Sequence, residues 1–163
     1  MTNAIFSVGT AAEWLSTGDE SREHVANQLR RFRTKGYVQT QGKFGAGPTA
    51  THTFNVYDLA TAKLCKGLMR FGIKKESIIR AVSDACYLPA KAADSGATPG
   101  VEAAFNDPDK SWRVVVFFHA NADGTEHVTA EMRVNMDGLE RIGGEMIVLT
   151  MHDWLPELAA MGA

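Results

Sequence analysis

With 163 residues, 45% of them hydrophobic and 22% charged, the chain has enough apolar material for one good core or two small ones sharing an interface, which excludes disorder throughout. No apolar run approaches the roughly 20 residues of a membrane-spanning helix, and the start shows no charged segment leading into an apolar stretch and a cleavage site. No membrane partner is expected, and the expected address is cytoplasmic. The net charge of −2 conceals a split: residues 1–80 hold 12 Lys+Arg against 6 Asp+Glu, and residues 81–163 hold 5 against 13. A basic half joined to an acidic one points to a polyanion-binding surface attached to a unit with another task.

In chain order, Thr10 followed by Glu13 has the spacing of a capping box and predicts a short first helix through Trp14 and Leu15. After the turn residues Thr17-Gly18-Asp19, a second helix is predicted from Ser21 to Lys35, with Val25, Leu29 and Phe32 on one face and Gly36 as its stop. Its other faces carry Arg22, Glu23, Asn27, Arg30, Arg31 and Thr34, a division suited to a helix lying in a DNA groove. Tyr37-Val38-Gln39-Thr40 then reads as a strand, 41–50 as a Gly-rich loop with Lys43 and Phe44, and Thr51-His52-Thr53-Phe54 as the returning strand of a β-hairpin wing. Asn55 with Asp58 opens a third helix with an apolar stripe of Leu59, Leu64, Leu68 and Phe71, ended by Gly72. A fourth helix spans 75–87, packing Ile78, Ile79, Val82 and Cys86.

Residues 89–111, with Pro89, Pro99 and Pro108, read as a linker or long surface loop. Beyond it, Trp112 to Ala120, the turn Asn121-Ala122-Asp123-Gly124 and the strictly alternating Glu126 to Met136 form an antiparallel hairpin with one buried side. A strand over 146–151 and a short helix from Asp153 complete a small unit. The expected fold is α+β: a DNA-binding domain of about four helices and a wing over 1–88, the linker, and an antiparallel-sheet unit with a terminal helix over 112–163. Cys65 and Cys86 lie in helical apolar patterns and form no C-x-x-C pair, so they read as reduced core thiols, with no metal or cofactor expected.

The first half resembles a winged helix-turn-helix of the mercury-resistance regulator (MerR) type. The likeness lies in Phe6-Ser7-Val8-Gly9 before helix one, Ser21-Arg22-Glu23-His24-Val25 opening helix two, and Arg33-Thr34-Lys35-Gly36-Tyr37-Val38 leading into the wing. It continues with Phe54-Asn55-Val56-Tyr57-Asp58-Leu59 between wing and helix three, and with Leu68-Met69-Arg70-Phe71-Gly72-Ile73 followed by Glu76-Ser77-Ile78. The similarity covers residues 5–86 and implies double-stranded DNA as partner. The chain departs from that family after its fourth helix: where such regulators continue into a long dimerising helix and an effector-binding tail, this one turns to Pro-rich loop and strands, and metal sensing is not implied. The same module resembles those of phage excisionases and small terminase subunits, so an architectural or packaging role is the alternative expectation.

Ser21, Arg22, His24 and Asn27 are the candidates for base edges or adjacent phosphates, because Asn pairs bidentately with adenine and Arg with guanine in the major groove. Arg30, Arg31, Arg33 and Lys35 are the candidate phosphate contacts, with Lys43 and His52 on the wing reaching the backbone or minor groove. A solvated helix face would explain any one of these charges, but eight basic residues gather between positions 22 and 66 alongside the helix-turn-helix pattern. The acidic half is expected to serve homodimerisation, with contact to another protein or a small ligand as further options. His119, His127 and His152 raise an enzyme hypothesis, but no H-E-x-x-H, P-loop or nucleophile elbow accompanies them, so no enzyme is expected. The expectation is a sequence-specific transcription regulator, cytoplasmic and nucleoid-associated.

Overall fold

The computed structural model describes residues 4–47, 50–89, 98, 100–134 and 145–161. Among these, helices and two antiparallel three-stranded sheets make a mixed α+β fold. Phe6–Ser7 form a two-residue strand, β1, which pairs with Thr53 and Phe54 and was not foreseen. That pairing holds Ser7 extended, so Ser7, not Thr10, caps helix α1 (Val8–Leu15): its hydroxyl accepts from the Thr10 amide at 3.2 Å. Helix α2 (Arg22–Thr34) starts at the Ser21 cap and buries Val25, Ala26, Leu29 and Phe32.

The end of α2 explains the main local departure from expectation. Gly36, at φ 70°, lets the Gly36 amide reach the Arg33 carbonyl and the Tyr37 amide reach the Phe32 carbonyl, both at 2.9 Å, a Schellman closure with the Tyr37 and Phe32 rings 6.2 Å apart. Tyr37 is thereby used as a helix stop. Ser83 donates to the Tyr37 carbonyl at 2.6 Å, and the Gln39 amide donates to the Tyr87 hydroxyl at 3.0 Å. Side chains of the fourth helix thus take hydrogen bonds that a strand over Tyr37–Thr40 would give to a ladder, and Tyr37 and Val38 are buried beneath it. The first hairpin strand lies instead at Gly42–Phe44 (β2), inside the expected loop, and pairs with Thr51–Phe54 (β3). The sheet order is β1-β3-β2.

Helix α3 (Val56–Arg70) opens with the capping box foreseen: Asp58 N donates to Asn55 Oδ1 and Asn55 N to Asp58 Oδ2, each at 2.9 Å. It ends in a second Schellman closure at Gly72, with Phe71 as cap residue. There the chain leaves the apolar stripe, and Phe71 is exposed instead of packed. Helix α4 (Glu76–Tyr87) buries Ile78, Ile79, Val82 and Cys86 as expected, and both cysteines are free and buried.

Within the span read as linker or loop, Gly100–Asn106 form a helix, α5, with Val101, Ala104 and Phe105 buried. Its seven residues are too few to display helical periodicity between the flanking prolines. A Cβ on Gly100 would meet the Ala85 carbonyl at 2.6 Å and Met132 Sδ at 2.8 Å, so glycine is what lets α5 begin against α4 and the second sheet. That sheet has order β5-β4-β6, from Glu126–Arg133, Arg113–Ala120 and Met146–Thr150. Met136 of the expected alternating strand lies outside the described residues. Helix α6 (Leu155–Met161) follows.

Val114, Val116 and Met132 on one face of this sheet join the same buried cluster as Val8, Leu29, Phe54, Leu59 and Leu158, so one core runs through both charge halves. Lys63 on α3 lies between Trp14 and Trp154, with its ammonium 4.3 Å and 5.2 Å from their ring centroids.

Candidate nucleic-acid interface

The exposed side of α2 carries Arg22, His24, Asn27, Arg30 and Arg31. It is the natural consequence of burying Val25, Leu29 and Phe32 at helical spacing. Ser21 accepts the His24 amide at 3.2 Å and closes the positive end of the helix dipole. Arg22 pairs with Glu13 of α1 at 2.6 Å across the turn, a contact between two well-exposed side chains. Arg30 donates to Asn27 Oδ1 at 2.6 Å, which holds an amide and a guanidinium over one turn of the helix. Lys35 leans toward α4, 3.4 Å from Glu76, which Arg80 also contacts at 3.4 Å. These cations, Arg80 first, hold the Glu76 carboxyl below its ordinary range.

Arg33 differs from its neighbours because it turns inward from α2 to the hairpin. Its Nη1 contacts His52 Nε2 on β3, and in that register His52 lies opposite Lys43 on β2. Burial, then the charges of Arg33 and Lys43, push His52 below the usual histidine range, so the ring is neutral near pH 7 and accepts from Arg33. Arg33 Nε and His52 Nδ1 are buried with no hydrogen-bond partner among the described residues. His52 therefore stands at the joint between helix and hairpin, while Lys43 stays exposed.

The candidates thus fall into three groups: Ser21, Arg22 and His24 at the α2 start, Asn27, Arg30 and Arg31 along its open face, and Arg33, Lys43 and His52 where its end meets the hairpin. Lys35 is drawn aside.

Two buried polar centres fix this frame, and neither was read as part of the site. Lys66 on α3 is buried, 2.5 Å from Glu20 Oε2, and Glu20 also accepts from the Thr17 amide at 3.1 Å and hydroxyl at 2.9 Å. The α1–α2 turn is pinned to α3 in this way. Asp58 accepts from Gln41 Nε2 at 3.1 Å and from the Tyr87 hydroxyl at 3.0 Å besides the Asn55 amide, so one carboxylate joins the hairpin base, α3 and α4. Asp58 was legible as a cap; its long-range partners had no sequence signal. Nothing in spacing distinguished Lys66 from the solvent-facing lysines.

The histidines of the second half form a different arrangement. His119 and His127 are directly opposed on β4 and β5, their rings stacked with centroids 4.5 Å apart, bonded to Thr129 Oγ1 at 2.8 Å and Asn121 Oδ1 at 3.0 Å. His152 contacts Asp153 at 2.8 Å. Among the described residues no three metal-capable side chains gather, and no helix is long and apolar enough to cross a membrane. Comparison with protein-family models and with curated proteins finds no match to this chain.

Proposed function

We propose that this protein is a sequence-specific DNA-binding transcription regulator whose first half is a winged helix-turn-helix of the mercury-resistance regulator type. In this reading α2 enters the major groove, the β2–β3 hairpin is the wing lying along the adjacent backbone or minor groove, and the protein acts as a homodimer in the cytoplasm, on the nucleoid. The observation that carries it is the pairing of α2's exposed cationic face with a hairpin anchored to its end through Arg33 and His52. Helix and hairpin then meet a polyanion together, with phosphate contacts positioning and base-edge contacts specifying.

The test is selection from a random pool of duplex DNA across a salt series, with the bound fraction sequenced. An enriched motif, palindromic if the protein is a dimer, supports the regulator; binding that is salt-sensitive but motif-free supports the excisionase-like or packaging role; absence of binding at low salt overturns both. Arg22→Ala is expected to relax sequence preference, whereas Arg31→Ala should weaken all DNA alike and reduce the salt slope by about one.

A further inference from the structure

We propose that Phe44 is a wedge that the wing inserts at a base step of double-stranded DNA, so that the bound duplex is locally unstacked and bent. The inference rests on the DNA-binding reading above and adds the form of DNA that is bound. Phe44 is 76% exposed, the last residue of β2, opposite Thr51 at the start of β3 and next to the hairpin's connection. Strand alternation puts Lys43, His52 and the buried Phe54 on one side of the hairpin and Phe44 on the other, where its ring is exposed at the hairpin end while Thr53 further along that face is buried. The core makes no packing demand for a phenyl ring there, so what singles Phe44 out among the exposed apolar side chains is its place at the hairpin end beside Lys43.

Its surroundings match one kind of partner. Lys43 precedes it, and the Arg33 guanidinium lies behind Lys43 against the neutral His52 on the other face of the strand, so the ring projects beside two cations suited to phosphates flanking a groove. Apolar side chains between base steps unstack them and kink the duplex, most easily at pyrimidine–purine steps. A second aromatic on a partner protein would use the ring but leave the cations without a counterpart.

The test is competition between two duplexes of about 30 base pairs, one intact and one with a single-nucleotide gap that relieves the unstacking cost beforehand. The full-length protein should prefer the gapped duplex by about tenfold, Phe44→Ala should bind both alike, Phe44→Leu should keep part of the preference, and Lys43→Ala should weaken both while keeping it. Because Phe44 is exposed, its replacement leaves the core intact, which circular dichroism checks. Salt-sensitive binding without gap preference in the wild type, or a preference that survives Phe44→Ala, overturns the wedge and leaves DNA binding standing. No salt-sensitive binding to either duplex overturns DNA binding and the wedge with it.

Discussion

Glu20 and Asp58 are two carboxylates that burial and hydrogen bonding drive in opposite directions. The Lys66 ammonium, bonded at 2.5 Å, is the main cause that lowers Glu20 from 4.5 to about 2. A carboxylate whose folded value lies below its unfolded one contributes stability that is complete above about pH 4.5 and lost as pH falls toward 2. Glu20 is a third exposed, so solvent screens part of that contribution. Asp58 is raised by burial against the hydrogen bonds it accepts, and its protonation therefore favours the folded state as pH falls. Glu20→Gln should cost about 1–3 kcal/mol at neutral pH, because the buried Lys66 loses its charged partner. It should also flatten the loss of stability below pH 4.5. Urea unfolding across that range checks both, and parallel curves for the two proteins would contradict the assignment. Cys65 and Cys86, by contrast, are free and buried as their reading from sequence as reduced core thiols expects, and burial pushes both thiols up, Cys86 to about 12.

Among the elements, those whose residues all face one task were readable in advance. Helix α2 combines a serine cap, an apolar face and a glycine stop, and β5 alternates as a half-buried strand, whereas the central β4, expected to have one buried side, is buried on both, with Val115 and Phe117 in a small cluster apart from the main core. The unreadable ones depend on partners far along the chain. Tyr37 to Gln39 have the composition of a strand, but Ser83 and Tyr87, over forty residues later, capture their backbone groups. Phe6 and Ser7 are too short a strand to signal without β3 beside them. Asp58→Ala would strip acceptors from Asn55, Gln41 and Tyr87 together, with an expected cost of about 1–3 kcal/mol and faster proteolysis across 39–47 as the hairpin base loosens. Gly100→Ala should cost about 1–3 kcal/mol by forcing apart Ala85 and Met132, read as a lowered unfolding midpoint.

At the scale of the molecule, the charge division is not a division of the core. One buried cluster links Val25 and Phe54 in the basic half to Met151, Leu155 and Leu158 in the acidic half. Composition shows where charge accumulates along a chain but is silent on which apolar faces meet, so the asymmetry was legible and the shared core was not. Unfolding is therefore expected as one cooperative transition, with far-ultraviolet dichroism and tryptophan fluorescence coincident; two separated transitions would contradict a continuous core. The candidate surface was legible as a list of polar and basic residues on α2 and the β2–β3 hairpin, whereas its partition, with Lys35 drawn to Glu76 and Arg33 to His52, required the fold.

The placement of Lys63 between two indoles gives the protein an intrinsic optical gauge. Trp14 belongs to α1, which leads into the α1–α2 turn, and Trp154 immediately precedes α6, so two of the three tryptophans, from opposite ends of the chain, meet around one ammonium, while the buried Trp112 adds a constant background. If the proposed DNA occupies α2, any accompanying tilt of α1 would change the distance of that charge from Trp14 and shift the emission, giving a dye-free readout of the proposed binding. Substituting Lys63 by methionine would keep the apolar stem and silence the signal, separating a change in quenching from a change in binding.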